Sequence, residues 1–332
     1  MKLGLKSAVQ SFYSDFQSNN GNEEEDGLDI ARCFSLFFIH LGCLGVIWVG
    51  WSWFAISLAF FLYFSRMFTI TAFLHRYFSH RTFKTSRFMQ FIFAAFASTA
   101  LQRGALWWAS HHRKHHRESD TDNDVHSPHT HSFIWSHIGW IANKKNFATD
   151  YDQIRDFAKF PELVFLNRLN KLIPLIMAIG LFYLGEWISL RWSFLGTNGW
   201  QLVIWGFFIS TTVLLHGTST INSLSHIYGK QRFNTGDHSK NNFWLSLITL
   251  GEGWHNNHHY YMHSTRQGFY WWEIDPTYYG LRLLAMCGLI YDLRPVPQRV
   301  LVEGLKKKSN NCLLYTSPSP RDRTRSRMPS SA

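Results

Sequence analysis

Eight of the 18 histidines fall in three boxes: His75-Arg-Tyr-Phe-Ser-His80, His112-Arg-Lys-His115-His116 and Gly251-Glu-Gly-Trp-His255-Asn-Asn-His258-His259. Imidazole is the commonest side-chain metal ligand and suits iron, zinc and copper. On an α-helix, positions i, i+3 and i+4 share a face, so each H-x-x-H-H box offers three nitrogens to one point. The spacing of five in the first box is poor for one α-helical face. It predicts a helix that ends or bends there, with His75 and His80 reaching different metals. Together the boxes could hold two metal ions. His40, His111, His126, His129, His131, His137, His216, His238 and His263 belong to no spaced cluster and read as ordinary surface or core residues.

The elements that must position these boxes are apolar and long. Residues 34–53 are apolar or aromatic apart from His40 and small residues, and 54–74 are broken mainly by Arg66. Residues 172–190 carry one acid, Glu186, and 200–216 are nearly all apolar. Spans of about 20 residues suffice to cross roughly 30 Å of hydrocarbon at 1.5 Å per residue. Gly50-Trp-Ser52 leaves room only for a tight turn, so the first two spans make a hairpin, and the last two a second. Arg66 is costly inside a bilayer unless it faces protein or a wet cavity. The fold class expected is therefore an all-α membrane protein, with four transmembrane helices in two hairpins and a helical cap carrying the histidines. Buried helices of a soluble protein are the competing reading, and four such blocks exceed what a soluble core of this size needs.

Arg76, Arg81, Lys84, Arg87, Arg113, Lys114 and Arg117 crowd the ends of the first hairpin. By the positive-inside rule that side is cytosolic, together with the boxes and both termini. Residues 88–101 are apolar but too short to span, and fit a helix lying in the interface or packed under the metal site. Residues 144–171 mix charge with aromatics: either a solvated amphipathic segment or a cytosolic lid over a substrate headgroup.

Charge excludes one class of partner. The net charge is +11, but the last 27 residues hold seven basic residues against one acid. With more than half of the excess in a Ser/Pro/Arg tail, no basic surface for nucleic acid is expected. Residues 305–332 read as a disordered basic tail, and 314–332 resemble adaptor read-through. Residues 1–30 read as a polar cytosolic arm without a signal-peptide pattern. Cys33, Cys43, Cys287 and Cys312 make no C-x-x-C pair and read as reduced thiols.

The three boxes, their order and Gly-Glu-Gly-Trp-His-Asn-Asn-His-His resemble the membrane fatty acyl desaturases, in particular the delta-9 acyl-CoA or acyl-lipid type. The likeness extends to Ser-Asp-Thr-Asp-Asn-Asp-Val-His-Ser-Pro (119–128), Ser-His-Ile-Gly-Trp140 and Ile-Asn-Ser-Leu-Ser-His-Ile-Tyr-Gly229. Residues 31–304 are then the desaturase domain. The resemblance implies a di-iron site and adds a ninth ligand, His226, with Asn222 reaching a metal through water. Trp107, His111 and Ala105 depart from the familiar pattern beside the second box, and none removes a ligand. The resemblance also implies the reaction: a cis double bond placed in a long-chain acyl group, using O2 and two electrons. The acyl carrier is either a CoA thioester or a lipid. No heme module with a His-Pro-Gly-Gly motif appears, so the donor is expected to be a separate cytochrome b5 or ferredoxin. The membrane could be endoplasmic reticulum, plastid or bacterial inner membrane.

Removing hydrogen from unactivated methylenes needs an oxidant that no side chain provides, which favours a metal that activates O2. Nitrogen ligation with open positions points to iron (Fe2+), because structural zinc sites are closed. Asp120, Asp122, Asp124 and Glu252 are candidates to hold the outer N–H of ligating imidazoles, or else form a solvated acidic loop. Phe64 lies eleven residues before His75, about three α-helical turns, on the same face. It or Tyr63 would then floor a tunnel for the acyl chain, unless both face the bilayer. The rival function is a di-iron lipid hydroxylase. A histidine-rich metal transporter would place its ligands at mid-membrane rather than at span ends.

Overall fold

The computed structural model describes residues 27–306. The first 26 residues of the expected arm, and the tail with Cys312, lie outside the described residues. The described chain is mostly helical, with one two-stranded sheet, β1 (Lys84–Thr85) paired antiparallel with β2 (Ile290–Tyr291). Four helices are long and apolar enough to cross a membrane: Arg32–Val49, Trp53–Ser79, Leu172–Arg191 and Gly199–Ile227.

The second and fourth run on past their expected ends at 74 and 216. Hydropathy alone stops a span where polar residues begin. Here those residues, including His75, Arg76, Ser219, Ser223 and His226, are buried against protein and face neither lipid nor water. The apolar faces that remain outside are exposed, among them Phe60, Phe61, Ile176 and Leu190. Trp48, Trp51, Trp53 and Trp200 are exposed around the turns between spans, as tryptophan is at a membrane–water interface. These turns touch, since Gln201 donates to the Val49 carbonyl and Trp205 to that of Gly50, both at 2.9 Å.

Local chemistry sets the helix starts. Asp29 caps α1 (Ile30–Cys43) by accepting from Arg32 N, and Ser52 caps α2 (Trp53–Phe68) by accepting from Ala55 N. Gly50 takes φ +62°, the left-handed turn that L-residues avoid. Arg66 is 2% exposed and faces protein: it donates to Thr211 Oγ1 at 2.7 Å, Leu62 O at 3.0 Å and the Ser210 hydroxyl. Its cost in the span is met by hydrogen bonds rather than by a counter-charge.

Directly after α2 the helix changes type. Thr69–Ser79 form a π-helix whose eleven residues are all buried. Such i→i+5 segments are rare and concentrate at functional sites. Several shorter elements pack around this end. Arg87–Ser98 is α3, which stacks Phe93 on Phe73 of the π-helix at 3.9 Å between ring centroids. Ala105–Glu118 is α4, started by Asn167 Oδ1, which accepts from Trp107 N at 2.9 Å. The 144–171 segment packs inward through Ile154, Phe157, Leu163 and Leu166. Asp156 accepts from both arms of Arg113, so this segment is a wall against α4 rather than a lid. The third span is α5 (Leu172–Arg191), and the fourth ends in α6 (Ser210–Ile227). The short α7 (Phe243–Ile248), α8 (His255–Tyr260) and α9 (Pro276–Met286) follow. Cys33, Cys43 and Cys287 are free.

Candidate metal centre

The π-helix answers the spacing of the first box. His80 N bonds to His75 O at 3.3 Å, the i→i+5 contact that brings both rings to one face. His75 and His80 therefore join one group, contrary to the expectation that each reaches a different metal. That group is His75, His80, His112, His116 and His258, each offering one ring nitrogen within 4.8 Å of the others. Its Nε2···Nε2 separations are 2.9 Å for His75–His258, 2.9 Å for His80–His112, 3.0 Å for His112–His116 and 2.9 Å for His116–His258. Two donors at right angles, each about 2.1 Å from one ion, stand about 3.0 Å apart.

A second group gathers His115, His226, His255 and His259. The H-x-x-H-H boxes thus do not send three nitrogens to one point. His112 and His116 go one way and His115 the other; His255 and His259 join the second group while His258 crosses to the first. Consecutive residues on an α-helix point about 100° apart, so His115 and His116 cannot share a target. His226, about two turns along α6 from Thr218, closes this group with Nε2 3.0 Å from His255 Nε2.

Outer carboxylates fix the tautomers. Glu252 Oε2 lies 2.5 Å from His75 Nδ1, Asp124 Oδ2 3.0 Å from His115 Nδ1, Asp120 Oδ2 2.8 Å from His226 Nδ1, and Asp237 Oδ2 2.6 Å from His259 Nδ1. Each holds the proton on Nδ1 and leaves the Nε2 lone pair bare. His259 Nε2 is accordingly buried with no hydrogen-bond partner. A cage of mutually facing lone pairs is repulsive by itself, and a cation would relieve that repulsion.

Burial, then the neighbouring imidazoles, push His80, His112, His116, His255 and His258 well below the ordinary imidazole range. They are neutral, the form a metal requires. Burial lowers His259 to about 4 against the opposing pull of Asp237. His115 is the exception: burial acts downward, but Asp124, Asp120 and Asp237 outweigh it and raise it. Asp120, Asp124 and Asp237 would be raised by burial, yet their histidine contacts and hydrogen bonds hold all three far below the usual carboxylate range. Glu252 is likewise lowered by His75 and Arg76.

Of the four acids singled out in the sequence, Asp122 does not join the site. It is exposed, without a hydrogen bond or ion pair among the described residues, because the loop turns its neighbours Asp120 and Asp124 inward and leaves it on the solvent side. Asp237 was missed. It is 22 residues before His259 in an irregular loop, and no periodicity connects them. Arg76 was missed too: fully buried, it bonds both Asp275 oxygens (2.9 and 3.1 Å) and Thr265 O, tying box one to the loop after box three. Among the unclustered histidines, His40, His216 and His137 form a chain with nitrogen separations of 3.0 and 3.0 Å, ending on Ser223.

Two cavities meet at the site, sharing Trp108, His112, Thr218 and Asn222. One leads outward past Leu215 and Thr211 to Leu36 and Ile39 on α1, with Gln102 and Arg103 at its polar edge. The other leads past Ile70 to Met67 and Thr249. Neither Tyr63 nor Phe64 lines them. Tyr63 donates to Ile248 O at 2.8 Å, and Phe64 is 42% exposed on the outer face. A π-helix turns less per residue than an α-helix, so eleven residues before His75 falls short of three turns and Phe64 rotates off that face.

A sequence profile of the fatty acid desaturase family matches residues 51–286. The chain is 34% identical over 265 residues to the sn-1 stearoyl-lipid 9-desaturase of Anabaena variabilis, covering 78% of this chain and 92% of that protein. It is 36% identical over 247 residues to the chloroplastic palmitoyl-monogalactosyldiacylglycerol delta-7 desaturase of Arabidopsis thaliana, covering 73% of this chain but only 63% of that longer protein. It is 34% identical over 286 residues to the icosanoyl-CoA 5-desaturase of Limnanthes douglasii, covering 85% and 76%. The chain belongs to the fatty acid desaturase family, whose members are oxidoreductases of fatty acyl chains.

Proposed function

We propose that this protein inserts a cis double bond at the delta-9 position of a saturated long-chain acyl group, with O2 and two electrons from a separate donor protein. The observation that carries the reading is the pair of imidazole groups, five and four, whose bare nitrogens converge beside a cavity junction. The donor set fits two iron ions: all-nitrogen, buried or half-buried, with four of its nine rings held by outer carboxylates. When bound, two such ions supply the oxidant: one –CH2–CH2– unit, O2, two electrons and two protons become –CH=CH– and two waters.

The chain's own residues do the rest. His75, His80, His112, His116 and His258 hold one ion; His115, His226, His255 and His259 hold the other, with Asn222 at hand to position a water. The acyl chain threads the joined cavities and bends at Trp108 and Asn222, so that its middle methylenes face the histidines. Apolar walls at Leu215, Ile70 and Met67 exclude water from the reacting carbons. The cavity mouth at Leu36 and Ile39 opens beside the first span, which suits a substrate arriving from the bilayer, and Gln102 and Arg103 meet its polar end. Relatives named for position 9 support the regiochemistry, although others are named for positions 7 and 5.

We also read the four apolar helices as two hairpins with the cap, arm and tail on the cytosolic side, where the arginines cluster, and residues 31–304 as the catalytic domain. The test is gas chromatography of lipids from cells lacking their own desaturase and expressing the chain. A cis-9 monoene is expected. A hydroxy acid, or an unchanged profile from protein that holds iron, rejects the reading.

A further inference from the structure

We infer that Asp120, His129 and His238 form a third divalent-cation site, outside the nine-imidazole cage with both histidines exposed and the carboxylate buried beneath them, that takes an ion of the zinc class. One donor atom from each residue lies within 4.8 Å of the others. The two rings come from loops more than a hundred residues apart, yet stack with centroids 3.9 Å apart and planes inclined by 25°. Both are exposed, the His238 side chain by 57%. Two solvated imidazoles gain little from stacking and lose rotamer freedom, whereas a shared cation rewards the arrangement.

The hydrogen bonds leave the right atoms free. His129 Nε2 donates to the His226 carbonyl at 3.1 Å, so its Nδ1 keeps a lone pair. His238 Nδ1 stands 3.5 Å from Asp120 Oδ2. Asp120 accepts from His226 Nδ1 and from the His238 backbone N–H on Oδ2, both at 2.8 Å, and from the Ser127 hydroxyl on Oδ1 at 2.6 Å. Oδ1 therefore retains a lone pair. Two imidazoles and one carboxylate match borderline divalent ions, and three protein ligands leave water to complete the shell, so the ion exchanges with solvent.

The site is coupled to the buried centre through one atom pair. Asp120 supports His226 through Nδ1–H, and an ion on the same carboxylate draws its charge away and weakens His226 as a donor. Zinc at this site therefore slows turnover; this consequence, unlike the binding itself, rests on His226 acting as a ligand.

The experiment uses the full-length, iron-loaded protein, exchanged into buffer with micromolar free Zn2+ and analysed for both metals and for activity. One zinc per chain beyond the iron, and a several-fold loss of turnover reversed by chelation at constant iron content, are expected. The His129→Ala/His238→Ala variant should bind no zinc at that concentration while keeping iron and basal turnover, and His129→Gln/His238→Gln should repeat this if the alanine pair misfolds. Wild type without zinc, or a folded variant that binds as much, overturns the site. Zinc that binds the trio yet leaves turnover unchanged overturns the coupling through Asp120. Zinc binding by a protein without desaturase activity would sink the proposed reaction and leave this site standing.

Discussion

The two imidazole groups are built differently. In the four-histidine group, three rings rest Nδ1 on carboxylates: His115 on Asp124, His226 on Asp120 and His259 on Asp237. In the five-histidine group only His75 does among the described residues, on Glu252; His112 is instead stacked on Trp108 with ring centroids 4.7 Å apart. The smaller group thus offsets its missing donor with anionic support, which makes those three imidazoles stronger bases and fixes their aim. The larger group relies on number and on the buried π-helix. The lesson is that two converging donor groups can be aligned in unequal ways, one stiffened from outside and one by the helix itself.

The largest effect should come from removing a donor. His258→Ala and His259→Ala, one per group, should each abolish desaturation and lower iron content, well beyond the roughly 100-fold ceiling for an outer partner; metal analysis with gas chromatography reads both. Next are the carboxylates. Asp124→Asn and Asp237→Asn keep the shape and remove the charge, and each should cost about 10–100-fold in activity or metal affinity. Equal losses for these and for exposed Asp122→Asn would erase the contrast drawn between the groups. A smaller effect belongs to the cavity beyond the junction: Ile70→Trp should shift products toward shorter acyl chains without loss of iron. Smallest are Asp122→Ala and Phe64→Ala, expected to change stability by no more than about 0.5 kcal/mol and to leave the product profile as it was; a longer-chain product from Phe64→Ala would restore it to the tunnel.

Spacing in the sequence reveals the second and third boxes because each follows the i, i+3, i+4 period of an α-helix, and it marks the first by a spacing of five that no α-helix favours. It does not reveal how they divide, since His115 and His116 are adjacent in sequence and part only when the helix stands between two targets. The π-helix is invisible to hydropathy, and its altered pitch explains both the shared target of His75 and His80 and the misplacement of Phe64. Asp237 lies in an irregular loop, where proximity to His259 is purely tertiary. The long apolar helices are legible in position but not in length, because Ser219, Ser223 and His226, polar yet buried against protein, look like the end of a membrane segment.

The most direct test of the central claim is the iron content of protein purified without oxygen and loaded with ferrous ion. Two irons per chain are predicted, falling when either His258 or His259 is replaced. A folded protein that holds one iron or none, or whose iron is indifferent to both substitutions, contradicts the account.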